Sequence, residues 1–139
     1  MRQALHHLRV PTNGRGLVDI SADVRAFVRD ARIELGLLTL YCRHTSASLL
    51  IQENADPSVR RDLERYFETL APEDPRRYEH DAEGPDDMPA HLRSALTQVQ
   101  LSIPVEARAP VLGTWQGIYL FEHRRHGHTR EVVLHLLGE

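Results

Sequence analysis

Lysine is absent from this chain: all 17 basic residues are arginines. The absence excludes Schiff-base catalysis and any phosphate-binding loop that depends on a lysine. A phosphate group would therefore have to be held by arginine, by hydroxyl groups or by backbone N–H groups. A strong positive field is absent as well, because 20 acidic residues give a formal net charge of −3. We therefore expect no nucleic-acid partner.

Cysteine is almost absent too, and Cys42 is the only one. A single cysteine excludes an intrachain disulfide and a zinc site built from several cysteines. No apolar run approaches the length of a membrane span, and nothing resembles a signal peptide. We therefore expect a cytoplasmic protein with no membrane partner, folded as a single domain over residues 1–139.

The periodicity of apolar residues predicts an α+β fold, in which strands alternate with about three helices. Asp56 as cap and Pro57 as first residue mark the start of one helix. One predicted helix follows Ser21 as its cap and extends through Asp30, a second runs from Pro57 to about Leu70, and a third covers 90–98. The predicted strands cover 2–10, 17–20, 36–44, 48–51, 101–105, 111–122 and 130–137.

The stretch from His80 to His91 carries the densest set of chemical groups in the chain. Its two histidines bracket four carboxylates, a Gly-Pro break and a helix start at which Asp87 is a plausible cap. The positive end of the helix dipole would favour a neutral, ligating imidazole at His91. The stretch is a candidate metal or proton-transfer site, and a polar surface loop before a capped helix is the alternative.

A second candidate group follows the strand that ends at His44. Leu38, Leu40 and Cys42 share one face of that strand with His44, and small hydroxyl residues follow directly. Hydroxyls and backbone N–H groups in such a cluster can bind an anion. The alternative is a tight turn between two strands.

Glu122 and Arg130 form a third candidate group. Glu122 follows Ile118 and Leu120 on one strand face, and the turn 123–129 is predicted to fold the last strand back beside it. Glu122 and Arg130 would then be cross-strand neighbours. One interpretation is an exposed salt bridge, and the other is a pocket in which Glu122 aligns a substrate. On either interpretation, the substitution Glu122→Gln should leave folding nearly intact.

Short motifs along almost the whole chain resemble the YjbQ family, whose members are also described as secondary thiamine-phosphate synthases. The motifs occur in the family's order, and the ordered set is far more specific than any one string. They are His44-Thr45-Ser46-Ala47, Glu53-Asn54-Ala55-Asp56-Pro57, Tyr78-Glu79-His80, Asp86-Asp87-Met88-Pro89-Ala90-His91, Ile103-Pro104-Val105, Gly113-Thr114-Trp115-Gln116-Gly117-Ile118, Glu122-His123-Arg124, His126-Gly127, Arg130 and Gly138-Glu139.

The resemblance implies a compact α+β domain with antiparallel-rich mixed sheets, assembled as a homotrimer with pockets near subunit boundaries. It also implies an enzyme, a transferase with weak thiamine-phosphate synthase activity. That reaction joins hydroxymethylpyrimidine diphosphate to thiazole phosphate and releases pyrophosphate, so small phosphorylated substrates would be its partners. The face with Trp115, Tyr119 and Phe121 is a candidate for core or interface packing.

For this chemistry we expect a divalent metal ion, zinc or magnesium, to neutralise the leaving diphosphate. His44, His80 and His91 are predicted to converge as metal ligands that suit zinc, whereas Asp86 and Asp87 would suit magnesium. The expected catalytic residues are Glu122, His91 and Asp87. The expected substrate-binding residues are Thr45, Ser46, Asn54, Trp115, Gln116 and Arg130.

Two other function classes remain open. One is a metal-assisted hydrolase of a phosphorylated metabolite, which the abundance of histidine supports. The other is a non-catalytic trimer that binds such a metabolite. A Cys42 nucleophile paired with His44 is a more distant alternative, because a buried cysteine is usually a packing residue.

Overall fold

Two antiparallel sheets and three α-helices make up the fold in the computed structural model, which describes residues 1–139. A single 3₁₀ turn, Pro75–Arg77, precedes the third helix. The helices are α1 (Ser21–Ala31), α2 (Pro57–Leu70) and α3 (Asp87–Leu96). The strands are β1 (Arg2–Pro11), β2 (Gly16–Asp19), β3 (Leu35–Cys42), β4 (Ala47–Glu53), β5 (Gln100–Glu106), β6 (Ala109–Pro110), β7 (Gln116–Glu122) and β8 (Thr129–Gly138).

The larger sheet has the order β1-β8-β3-β5-β6, and the smaller one has the order β2-β7-β4. The predicted α+β class and the three helices are confirmed. The prediction of mixed sheets was wrong, because every strand pair is antiparallel. None of the helices has the length and apolar content that a membrane crossing requires.

The hydrophobic core lies between the two sheets, with α1 closing one side. Leucines such as Leu38 and Leu134 come from the larger sheet, Leu120 comes from the smaller one, and Val24 comes from α1. All four are completely buried, and burial of each such side chain stabilises the fold by about 1.5–3 kcal/mol. Glu122 continues the core-facing side of β7 beyond Leu120. This placement directs a carboxylate into the space between the sheets.

The opposite face of β7 is covered by α2. The Phe67 ring packs edge-on against Phe121, with the centroids 5.6 Å apart, and Arg60 lies over the ring of Tyr119. The predicted aromatic face is therefore core at Tyr119 and Phe121. Trp115 is different, because it lies in the turn before β7 and is 64% exposed.

Helix starts follow the predicted signals in one case and depart from them in another. At α2 the Asp56 side chain accepts a hydrogen bond from the Ser58 backbone N–H, with Pro57 as the first helical residue. The α3 helix begins at Asp87, three residues before the predicted start, and its cap position is Asp86. Neither Asp86 nor Asp87 acts as the predicted side-chain cap, because Arg124 binds both carboxylates. The strand predicted over 111–122 is also shorter, since a turn at Gly113 delays β7 until residue 116.

Candidate metal centre

Two histidines and one aspartate converge at the start of α3. Asp87 and His91 are one helical turn apart and so lie on one face of α3, while His80 comes from the preceding loop. Nε2 of His80 lies 2.6 Å from Oδ2 of Asp87, and Nε2 of His91 lies 3.1 Å from the same oxygen. One ligand atom from each of the three residues falls within 4.8 Å of the others. The contacts are of hydrogen-bond length, and the three groups are close enough together to be candidate ligands of one ion.

The orientation of His91 is fixed by a backbone carbonyl. Nδ1 of His91 lies 2.8 Å from the carbonyl oxygen of Thr45. Because a carbonyl can only accept, Nδ1 carries the hydrogen, and in a neutral ring Nε2 then presents its lone pair. That lone pair faces Oδ2 of Asp87, which is also an acceptor. Either a proton or a metal ion must therefore lie between the two atoms.

Asp87 is anchored as firmly as His91. Its side chain is only 2% exposed, and Oδ1 accepts a hydrogen bond of 2.8 Å from Nη1 of Arg124. Burial by itself would raise the pKa of Asp87. The hydrogen bond from His80, the interaction with His91 and the positive charge of Arg124 outweigh burial and hold that pKa below its ordinary value. Asp87 is therefore a carboxylate whose remaining oxygen is directed at the two imidazoles.

Arg124 also holds the loop that precedes α3. Its Nε donates to Oδ2 of Asp86 at 3.0 Å, and Nη2 donates to the carbonyl of Glu83 at 3.0 Å. The backbone N–H of Arg125 donates to Asp86 as well. Asp86 is therefore used to fix the loop and is not placed beside Asp87 as a magnesium ligand.

His44 does not belong to this cluster, so the predicted ligand set needs a correction. Its Nε2 accepts a hydrogen bond of 2.8 Å from the backbone N–H of Glu131, and Nδ1 lies 3.4 Å from Nη1 of Arg130. Burial lowers the pKa of His44, and the charge of Arg130 lowers it further. The strand end places His44 against β8, and Asp87 occupies the third position instead.

An open cleft adjoins the cluster of His80, Asp87 and His91, and His91 belongs to both. The cleft has a volume of about 390 Å³. Its walls combine hydroxyl-bearing, imidazole and small apolar side chains: His44, Thr45, His91, Ser94, Ala95, Thr97 and Val99. Of the predicted substrate-binding residues, Thr45 is the one that lines this cleft.

Glu122 and Arg130 form an ion pair inside the protein. Nη2 of Arg130 lies 2.5 Å from Oε2 of Glu122, and Glu122 has no exposed surface. The Thr12 hydroxyl and the backbone N–H of His123 also donate to this carboxylate. Burial alone would raise the pKa of Glu122, but the hydrogen bonds from Arg130 and Thr12 hold it below its ordinary value.

The buried pair overturns both interpretations of these two residues. It is not an exposed salt bridge, and Glu122 offers no free atom to a substrate. Arg130 is also committed, because its Nη2 donates to the carbonyl and hydroxyl oxygens of Ser46. Together Glu122, Arg130 and Ser46 hold the loop that delivers the Thr45 carbonyl to His91.

Asn54, Trp115 and Gln116 lie at the far end of the smaller sheet. In the register of β4 and β7, Ala47 is opposite Glu122 and Glu53 is opposite Gln116. Six residue steps along a strand separate the two ends by roughly 20 Å. Nδ2 of Asn54 donates to the carbonyls of Thr114 and Gln116, which stabilises the turn around Trp115. The structure therefore does not bring these three residues to the cluster of His80, Asp87 and His91.

Cys42 is unsuited to the role of nucleophile. Burial raises the pKa of its thiol to about 11, so the reactive thiolate is rare at neutral pH. Its Sγ donates to the carbonyl of Ala47 at 3.5 Å. The thiol packs within the core, as the more ordinary interpretation of a buried cysteine predicts.

The sequence analysis missed the role of Arg124. In the sequence, Arg124 is only one residue of the motif Glu122-His123-Arg124. Its partner Asp87 lies 37 residues earlier in the chain. A local pattern carries no signal for such a contact. The carbonyl of Thr45 was missed for a related reason, because a backbone acceptor is available at every position.

The chain is an α+β protein with two antiparallel sheets, and two histidines and an aspartate cluster at the start of α3. A family model described as "UPF0047 protein YjbQ-like" matches residues 6–139, and the chain belongs to that family. A UPF0047 protein of Synechocystis is 50% identical over 138 residues, which cover 99% of this chain and 94% of the relative. The UPF0047 protein YugU of Bacillus subtilis is 36% identical, with 85% of this chain and 88% of the relative covered.

Solved structures show the same fold. A conserved hypothetical protein from Thermus thermophilus superposes with a TM-score of 0.84 at 37% identity, covering 95% of this chain and 99% of that one. A YbjQ-like protein from Sulfolobus solfataricus gives a TM-score of 0.87 at 22% identity, covering 99% and 100%. At that identity the second match concerns the fold alone.

The expected thiamine-phosphate synthase function was wrong. The relatives are named only as UPF0047, YjbQ or YugU proteins, and the Sulfolobus structure is described as a protein of unknown function. Nothing in these comparisons links the family to thiamine phosphate. The substrate roles assigned for that reaction therefore lose their basis.

Proposed function

We propose that this protein is a divalent-metal-dependent enzyme whose ion is held by His80, Asp87 and His91. The observation that carries the proposal is the arrangement around His91. Its Nδ1 is satisfied by the Thr45 carbonyl, and its Nε2 faces a carboxylate oxygen 3.1 Å away. A metal ion between them converts two opposed acceptors into two ligands.

A proton on Nε2 of His91 is the competing explanation for this contact. It requires hydrogens on both nitrogens of His91, because Nδ1 already donates to the Thr45 carbonyl. His80 needs no additional proton, because a neutral ring can donate from Nε2 to Asp87. In the metal explanation all three groups share one ion, and zinc titration distinguishes the two explanations.

The donor set favours zinc or a similar transition metal over magnesium. Imidazole nitrogen suits zinc and its neighbours, whereas magnesium prefers an octahedral set of oxygens. Three protein ligands leave a coordination position open, as in catalytic zinc sites. When bound, such an ion supplies Lewis acidity and brings the pKa of a coordinated water close to about 7.

The residues around the cluster support this use. The Thr45 carbonyl fixes the ring of His91, and Arg124 fixes the Asp87 carboxylate, so the ligand geometry is organised in advance. The adjoining cleft is of a size suited to a small molecule, and Thr45, Ser94 and Thr97 supply hydroxyl groups to its wall. We therefore expect a small polar substrate to bind beside His91.

Zinc titration of metal-free protein by calorimetry tests the proposal. Wild-type protein should bind one zinc ion per chain and should bind magnesium far more weakly. His91→Ala and Asp87→Asn should each abolish or greatly weaken zinc binding. His44→Ala is the matched control, because His44 lies outside the cluster, and it should bind zinc as wild-type does. If His44→Ala lost zinc binding while His91→Ala and Asp87→Asn kept it, this ligand set would be refuted.

We also propose that the chain assembles as a homotrimer through the outer face of the larger sheet. No helix covers that face, and its exposed side chains include Leu5, Leu37, Tyr41 and Leu137, each at least 40% exposed. Exposed apolar side chains grouped on one sheet face are typical of a protein–protein interface.

Light scattering after size exclusion tests the assembly. Wild-type protein should have the mass of three chains at micromolar concentration, and Leu37→Asp should yield a smaller species. Leu70→Asp is the control, because Leu70 is about as exposed but lies on α2. A monomeric wild-type protein would contradict the proposal.

A further inference from the structure

Arg93 is a fully buried charged side chain that is only partly satisfied. Nη1 donates to the Glu64 carboxylate at 3.2 Å, whereas Nε and Nη2 have no hydrogen-bond partner in the protein. Native proteins leave few buried polar atoms unpaired, because each one destabilises the fold, and a charged one does so more strongly. An unpaired guanidinium edge is therefore a feature that requires an explanation.

The unpaired atoms are concentrated in one region. The remaining buried side-chain atom without a partner is Nδ1 of His123. Arg15 lies beside it, since its Nε donates to the His123 carbonyl at 3.3 Å. Burial lowers the pKa of His123 to about 3, and the charges of Arg93, Arg130 and Arg15 lower it further. The interior here is rich in positive charge and in free N–H donors.

Arg93 lines a cavity of about 280 Å³ at the C-terminal end of α2. The full lining is Arg15, Glu68, Ala71, Pro72, Glu73, Arg93 and Arg125, and we call it the arginine cavity. The Arg125 side chain is half exposed, whereas Arg93 has no exposed surface. The cavity therefore has an exposed arginine, Arg125, and a fully buried one, Arg93, in its wall.

Of the three arginines in the arginine cavity, Arg93 is the one whose guanidinium keeps unpaired N–H groups. Arg15 and Arg125 both form ion pairs with Glu73, so a single carboxylate already serves these two arginines. Glu68 is exposed and forms no ion pair. Its negative charge at the wall opposes a second anion, but its side chain is free to move outward.

We propose that the arginine cavity binds a small oxyanion, a carboxylate or a phosphate, on the Nε and Nη2 edge of Arg93. Two parallel N–H groups of a guanidinium match two oxygens of either anion, and such paired hydrogen bonds are among the strongest in proteins. Because Arg93 is fully buried, the ligand reaches its guanidinium only when the cavity wall moves outward, and Glu68 is an exposed side chain of that wall. None of the cavity residues belongs to the metal centre, so this site is independent of the proposed metal chemistry.

The test uses thermal unfolding and calorimetry with sodium phosphate and sodium malonate, each against sodium chloride at equal ionic strength. In wild-type protein at least one of the two anions should raise the melting temperature with saturation, and chloride should not. A larger response to malonate assigns the site to carboxylates, and a larger response to phosphate assigns it to phosphates.

The variants separate this cavity from general charge effects. Arg93→Met should weaken anion binding at least about tenfold, because it removes both paired hydrogen bonds. Glu68→Gln should tighten binding, because it removes an opposing charge. Arg61→Gln is the matched control, since it removes an exposed arginine of α2 outside the cavity and should bind as wild-type does.

Zinc binding is measured alongside, because Arg93 follows His91 by two residues on α3. Unchanged zinc affinity in Arg93→Met shows that α3 is intact and that the loss is local. If Arg93→Met does not fold, Arg15→Gln must weaken anion binding and Glu68→Gln must tighten it. The proposal is overturned if neither anion stabilises wild-type protein beyond chloride, or if these variants respond as Arg61→Gln does.

Discussion

Glu122 and Arg130 meet across the space between two sheets, although only eight residues separate them in the chain. Their strands do not pair, because β7 belongs to the smaller sheet and β8 to the larger one. Both side chains point inward, and the carboxylate and guanidinium come within 2.5 Å. The predicted partnership holds for these two residues, but as a contact between layers and not as a cross-strand pair.

This burial predicts that Glu122→Gln destabilises the fold, contrary to the expectation from the sequence. Removing one partner of a buried pair leaves Arg130 uncompensated, and we expect a loss of about 3–5 kcal/mol in the free energy of unfolding. Urea unfolding followed by circular dichroism measures it. Asp30→Asn is the control, because its ion pair with Arg29 is largely exposed, and its cost should stay below about 1 kcal/mol. Equal effects of the two substitutions would contradict the prediction.

A second prediction concerns stability below neutral pH. Because the pKa of His123 falls from 6.5 to about 3 on folding, the unfolded chain binds a proton that the folded chain does not. The free energy of unfolding should therefore decrease as the pH falls from about 6.5 towards 3. His44, whose pKa is also lowered by burial, contributes with the same sign.

Denaturant unfolding between pH 7 and pH 5 isolates this effect from most carboxylates. His123→Asn should make the pH dependence shallower by at most about 1.4 kcal/mol per pH unit, the limit for one proton. His126→Asn, which removes an exposed imidazole three residues away, is the matched control. A slope that His123→Asn leaves at the wild-type value would show that His123 is not the group responsible.

Arg124 is predicted to set the affinity of the metal centre without touching the ion. It holds Oδ1 of Asp87, and loss of such a supporting hydrogen bond costs about 10–100-fold in metal affinity. Arg124→Gln should weaken zinc binding by that factor in a calorimetric titration. Arg125→Gln is the control, because the Arg125 side chain binds Glu73 and makes no contact with Asp87. Zinc affinity that is equal in both variants would exclude this role.

Cys42 should be unreactive in the native protein. Its thiol is buried and has a pKa raised to about 11, so thiol reagents should react slowly at pH 8 and rapidly in urea. Absorbance of the released thiol chromophore measures both rates. Fast modification of the folded protein would indicate that the interior around Cys42 opens readily.

The sequence by itself determined the local elements and the family. Three features depend on neighbours within a few positions: the Asp56-Pro57 helix start, the alternation of buried residues along β5 and β8, and the spacing of Asp87 and His91. Such signals are present in any single segment. The ordered motifs identified the family for the same reason, since each motif is a short local string.

Only the tertiary structure decided which of these groups act together. His44 accepts a hydrogen bond from the Glu131 backbone and lies outside the candidate metal cluster. Asp87 belongs to that cluster, and Glu122 is buried in the core. Each outcome depends on segments that are distant in the chain but packed against each other. The periodicity of one segment predicts which side of it is apolar, but the partner and the burial of a polar group depend on what packs against that side.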